Sequence, residues 1–204
     1  MYIPRPFQIN SDEARELLKS FSVGQLVTAT SDGPMATLVP WVLDTNGNRL
    51  IGHLSRINPQ WHTPWQGEAL VIVDGANGYV RPNWYATKSE TGKVVPTWDY
   101  VVIQIRGELI VHDDAEWVKS AVEHLTDLHE EVREKAWKVE DAPAEYVETQ
   151  LAAIVGIEFK IKSIEAAVKM SQNKSEADVA GVVKGFTDEG RDDLADWVRR
   201  STEK

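Results

Sequence analysis

Between residues 25 and 111 the chain is written in short apolar runs broken by turn residues, a rhythm that few folds can accommodate. Runs of strand length occupy 25–30 (QLVTAT), 35–44, 49–54, 69–74 (ALVIVD) and 101–111 (VVIQIRGELIV). Between them stand Asp32-Gly33-Pro34, Asn46-Gly47 and Ala76-Asn77-Gly78, the residue types that tight turns and hairpins require. A last run, 157–164 (IEFKIKSI), alternates apolar and polar residues as a half-buried strand does. Gly107 predicts a bend or bulge in its strand. No strand–helix–strand alternation appears, so a parallel doubly wound sheet is not expected. The spacing predicts an α+β chain, mainly antiparallel β, with about six strands closed into a barrel and helices around it.

The helical signals lie outside that block. Ser11 caps a predicted helix to about Phe21, with Asp12 and Glu13 in its first turn. Asp113 and Asp114 open a second, to about Glu131, in which Val118, Val122 and Leu125 recur at helical spacing. A third covers about 143–154 and stops at Gly156, and a terminal amphipathic helix covers about 188–200. The opening YIPRPF reads as an extended arm fixed by its prolines. These signals describe one domain over 1–204, with a helical insertion at about 113–155 and a helical C-terminal extension at about 175–204.

The chain has no cysteine, which excludes disulfides, thiolate catalysis and cysteine-ligated metals. A net charge of -10 opposes general attraction to a phosphate backbone. No signal-peptide pattern and no membrane-length apolar run are present, so a cytoplasmic location is expected. His124 and His129 are five apart and do not share a helix face, and no HExxH, P-loop, GxGxxG or GxSxG motif occurs. No metal site is expected, and no catalytic acid, base or nucleophile stands out.

Ligand chemistry concentrates in 78–100, GYVRPNWYATKSETGKVVPTWDY. Five aromatic rings (Tyr79, Trp84, Tyr85, Trp98, Tyr100) surround Lys88 and Lys93 there. Flat rings with polar tips beside cationic donors suit a conjugated anion such as a flavin phosphate. The same rings could equally fill a core or a subunit interface, where Trp and Tyr are enriched. The strand 33–44 places Thr37 and Val39 on one face and Ala36 and Leu38 on the other.

The order GPMATLVPWVLD (33–44), GHLSRINPQW (52–61), the aromatic stretch at 78–100, LTDLHE (125–130), DAPAEYVETQLAAIVGIEFKI (141–161) and KMSQNKS (169–175) resembles the PaiB family of FMN-binding negative transcriptional regulators. The resemblance covers essentially the whole chain. It implies a six-stranded split β-barrel, a homodimer, and FMN at the dimer interface. It places the phosphate near Ser55, Arg56 and Lys88, since a hydroxyl and a forked guanidinium match phosphate oxygens. It places the flavin ring near Trp84, Tyr85, Thr97 and Trp98, with backbone amides around Thr37 and Val39 at the ring edge. His53 stands close to the ring or is structural. Lys169, Ser171 and Gln172 are further anion or ring-edge donors. The chain departs from the family pattern at Asn77 and Gln104, where histidine is common, at Asp99 in place of asparagine, and at Ala166-Ala167-Val168. Direct DNA binding is disfavoured by the acidic residues around Arg191, Arg199 and Arg200. The competing functional class is a flavin- or haem-dependent oxidoreductase of the same fold.

Overall fold

The computed structural model of the chain describes residues 1–202; the last two residues of the predicted C-terminal extension lie outside the described residues. In chain order the elements are α1 (Ser11–Leu18), β1 (Val23–Thr30), β2 (Gly33–Pro40), β3 (Val42–Leu43), β4 (Arg49–Ser55), β5 (Ala69–Val80), α2 (Thr87–Thr91), β6 (Thr97–His112), α3 (Ala115–Glu130), α4 (Ala144–Ala152), β7 (Ile154–Lys169), α5 (Glu176–Asp188) and α6 (Asp192–Thr202). The strands hydrogen-bond in the order β2-β1-β5-β6-β7-β4-β3. The chain divides into two compact units, one of residues 1–14, 74–103 and 165 onwards, the other of 15–73 and 104–164.

Among the described residues the sheet has seven strands where about six were expected, because the run 35–44 changes partner at Trp41. Residues 33–40 pair with β1, and the Trp41 N–H carries that register one step further to the Ser22 carbonyl, 2.6 Å away, whereas Val42 and Leu43 pair with β4.

In the unit of 15–73 and 104–164, β1 and β2 form a hairpin in full register from Val23↔Pro40 to Thr30↔Gly33, and β1 pairs with β5 at Gln25↔Ile72 and Val27↔Leu70. Gly33 turns this hairpin at φ 117°, a conformation that side chains avoid. The inner faces bury Leu26, Val39, Leu50, Val71, Ile105, Ile157 and Phe159. Gly107 stays within β6. A Cβ there would lie 2.0 Å from the carbonyl of Lys160, so a close backbone approach demands the glycine. The helix predicted at 143–154 ends sooner, and Gly156 lies in β7, where a Cβ would strike the Trp117 ring at 2.2 Å.

In the other unit the N-terminal arm makes a short 3₁₀ turn at Arg5–Phe7 and then bridges Gln8 to Ala167. α5 begins the helical C-terminal extension expected at about 175–204, in the part where no separate helix was delimited. Ser175 caps it, accepting from Asp178 N–H, but its two glycines and three valines are weak helix formers. Packing compensates for that weakness. A Cβ on Gly181 would lie 1.9 Å from the Trp84 carbonyl, and one on Gly185 2.2 Å from the Trp84 ring. Phe186 meets that ring edge-on, with centroids 5.1 Å apart.

Candidate functional site

The residues proposed from sequence fall into the two units, and each group has its own geometry. In the unit containing 74–103 and 165 onwards, the start of β6 and the end of β7 bring Thr97, Trp98, Lys169 and Ser171 together around Asp99. Lys169 Nζ donates to Thr97 Oγ1 at 2.7 Å and to the Trp98 carbonyl, and it lies 3.6 Å from Asp99 Oδ1. Asp99 is 0% exposed. Its Oδ2 accepts from Ser171 Oγ at 2.8 Å, while its Oδ1 has no hydrogen-bond partner. Burial pushes the Asp99 carboxyl above its usual range, against the pull of the Ser171 hydroxyl and the Lys169 charge. Burial likewise pulls the Lys169 ammonium down, against the opposing effect of Asp99.

Among the described residues, Ser171 is the non-glycine residue held at positive φ, 58°. Such a conformation costs energy and persists where surroundings over-determine it; the hydrogen bond to Asp99 is one such constraint. Gln172 is turned inward as a brace. Its Oε1 accepts from Met170 N–H and its Nε2 donates to the carbonyls of Pro6 and Val168. Tyr85 is buried, and its hydroxyl has no partner at hydrogen-bonding geometry. Burial, together with the carboxylates of Asp99 and Asp178, pushes that hydroxyl up to about 12, and the Ser171 side chain offsets only part of the shift. Lys174 Nζ lies 5.1 Å from the Tyr85 ring centroid.

The aromatic residues separate into two roles. Trp84 packs against α5, so much of the indole is committed to the helix. Trp98 is 54% exposed and Tyr79 45% exposed, and their rings meet edge-on with centroids 6.0 Å apart. Exposed rings of this size form a platform suited to a flat ligand; the Lys169 ammonium lies 5.7 Å from the Tyr100 ring and 5.8 Å from the Phe7 ring. Lys88 reaches Asn83 Oδ1 at 2.5 Å on the surface. Pairing of Asp99 with Lys169 across 70 positions left no trace in local sequence. The presence of an acid in the VPTWDY block was the signal available.

In the other unit, Arg56 sits at a polar strand end and is engaged by an ion pair and by backbone carbonyls. Its Nε donates to the Ala152 carbonyl at 2.8 Å, and its Nη2 donates to Asp113 Oδ1 at 2.6 Å and to the Ile154 carbonyl at 3.0 Å. The Arg56 N–H adds a bond to the Ala153 carbonyl. These acceptors lie at both ends of the helical insertion, so the guanidinium that the sequence offered to a phosphate fastens that insertion. Ser55 is exposed beside it, paired in register with Ile154. Thr37 Oγ1 accepts from Asn58 Nδ2 at 2.9 Å, and Val39 is buried in the core. His53 pairs in register with Gly156, the residue on which Trp117 of α3 is seated. Its face of the sheet is thus covered by α3, its Nδ1 is buried without a partner, and burial pulls its pKa below the usual value. The neighbouring polar cluster was not foreseen: His112 stacks on Trp117 at 3.9 Å and meets the buried Glu158 at 3.1 Å.

Comparison of the fold with solved structures defines the class. The flavocytochrome Anf3 from Azotobacter vinelandii superposes with TM-score 0.56 at 12% identity, over 78% of this chain and 67% of that one. The FAD and heme binding protein from Mycobacterium smegmatis does so with TM-score 0.55 at 15% identity, over 78% and 71%. The chain has the α+β split-barrel fold of flavin-binding proteins.

The sequence narrows the class to a family. Residues 1–163 match the family described as "Putative FMN-binding domain", and the chain belongs to it. It is also 29% identical over 193 residues to "Protease synthase and sporulation protein PAI 2" of Bacillus subtilis, over 93% of this chain and 90% of that protein.

Proposed function

We propose that the protein binds FMN as a homodimer and acts in regulation, as a ligand-responsive partner in the cytoplasm. The observation that carries the flavin reading is the exposed Trp98–Tyr79 ring pair at the strand end where Lys169 donates to the Trp98 carbonyl and the Thr97 hydroxyl. An indole face, a cation and a hydroxyl are the donor set that a flavin monophosphate requires, so the residues present fit the cofactor. Flavin supplies its own redox chemistry, and these residues would hold and orient it. The phosphate is assigned to Thr97 and Lys169, in place of Arg56, whose donors serve the helical insertion.

The dimer reading is supported by one sheet face. Pro34, Ala36, Leu38 and Pro40 of β2, Val23, Val27 and Ala29 of β1, and Leu70 and Ile72 of β5 share it by register, with Gln25 the one polar side chain among them. Every residue of this set is half-buried or exposed. An apolar face of three strands suits a second copy of itself.

Direct DNA contact is not supported. On and before α6, Arg191 pairs with Asp193 and Arg199 with Asp196, and Arg200 lies over the Trp197 ring. No helix among the described residues is long and apolar enough to cross a membrane.

The visible spectrum of the purified protein, taken after incubation with FMN, FAD or haem and desalting, tests the reading. FMN absorbance should remain with the protein. Lys169→Ala should weaken FMN binding by roughly 1.5–3 kcal/mol, the worth of a hydrogen bond to a charged group, and Trp98→Ala by about 1 kcal/mol. Unchanged affinity in both variants would remove the site from this face. A haem Soret band without flavin uptake would favour the oxidoreductase branch of the fold.

A further inference from the structure

The environment of Asp99 has a consequence for the flavin site. A carboxylate with no exposed surface is costly unless paired, and Asp99 is satisfied on one oxygen only. The other faces the Lys169 ammonium at 3.6 Å and has no hydrogen-bond partner. Lys169, 19% exposed, is held by Thr97 Oγ1, the Trp98 carbonyl and Asp99 together. While Asp99 is ionised, the pair presents little net charge to a ligand on the Trp98 side.

We propose that Asp99 is a positioning residue that holds Lys169 inward while ionised and frees its charge for a phosphate when protonated, so that affinity for FMN rises as the pH falls. The proposal rests on the flavin reading of this face. The charged and titratable groups around Asp99 are Lys169 at the end of β7 and Tyr85 ahead of α2. Beyond them, Lys174 acts on Lys169, and Asp178 of α5 acts on Tyr85. Ser171, held in the left-handed region, supplies the hydrogen bond that keeps the carboxyl in place. Burial raises the carboxyl's titration above its ordinary value. A phosphate monoester gains its own second proton near pH 6, which weakens binding on the acid side. That proton is gained equally by FMN on a variant without the carboxyl, so the difference between wild type and variant is diagnostic.

The test is to titrate FMN and riboflavin into the protein and Asp99→Asn between about pH 4.5 and 8.5, from near the ordinary carboxylate range to above the phosphate's second proton. Nitrogen-15 spectra of the lysine Nζ groups would be followed over the same range without flavin. Asp99→Asn, which keeps an oxygen acceptor for Ser171, should bind FMN roughly tenfold tighter at the alkaline end. That gap should close as the pH falls, and riboflavin should show no such gap. The Lys169 resonance should show an inflection in the wild type that the variant lacks. A gap that is absent, or that does not change with pH, overturns the proposal. If neither flavin binds, the flavin reading fails, and the lysine spectra still decide the coupling. An inflection unique to the wild type sustains it, and identical titrations overturn it.

Discussion

Asp44 shows how one side chain can define a turn. Its carboxylate accepts from the N–H groups of Asn48 and Arg49 at 2.8 and 2.9 Å and from Arg49 Nε at 3.1 Å, closing the hairpin between β3 and β4. Burial works against its ionised form, but the three donors prevail and hold the carboxyl below its usual value of 3.8. Because the folded pKa is depressed, this stabilisation is whole above the unfolded value. It is lost as pH falls through the lower folded one. Asp44→Asn should cost about 1.5–3 kcal/mol at neutral pH, with the exposed Arg49 pair adding little. Urea unfolding across pH should show the gap between variant and wild type closing on the acid side of 3.8. A gap that persists there would mean that packing, not charge, makes the turn. Asn46-Gly47 announced this hairpin in sequence, and Gly47 adopts φ 70° as that pair requires. The role of Asp44 depended on backbone donors that exist only once the loop has folded.

At the scale of elements, the helical insertion is held by a residue that sequence had assigned to a ligand. Arg56 joins the end of β4 to Asp113, ahead of α3, and to carbonyls at the end of α4. α4 has no buried residue of its own, so this clasp matters more than its own packing. Arg56→Ala should speed hydrogen exchange through 144–153, since Asp113 and the carbonyls of Ala152 and Ile154 lose the donor that ties them to β4. FMN affinity should remain unchanged. Weakened FMN binding with unaltered exchange would restore the phosphate role. α3 was legible from its Asp114 cap, which accepts from Trp117 N–H as the motif suggests. α5 was legible only as part of a helical extension, without bounds of its own, because Gly181 and Gly185 lower helix propensity locally and are favourable only against Trp84.

For the molecule as a whole, the apolar face of β1, β2 and β5 is the feature that composition alone would not place. Leu38, 60% exposed, stands near its middle, opposite Gln25. Leu38→Glu should shift the protein from dimer to monomer in sedimentation equilibrium, because it would place two like charges in an apolar contact between copies. A wild type that is monomeric at micromolar concentration would end the dimer reading. The sequence by itself determined the antiparallel β character, the hairpins, most of the helices and the family, because alternation, turn residues and caps are local and survive in one dimension. Only the tertiary structure decided what each candidate side chain packs against. It turned Arg56 to the helical insertion, covered His53 with α3, packed Trp84 against α5 and left Trp98 open beside Lys169. A side chain's availability depends on partners distant in sequence, and no local pattern records which of them will arrive.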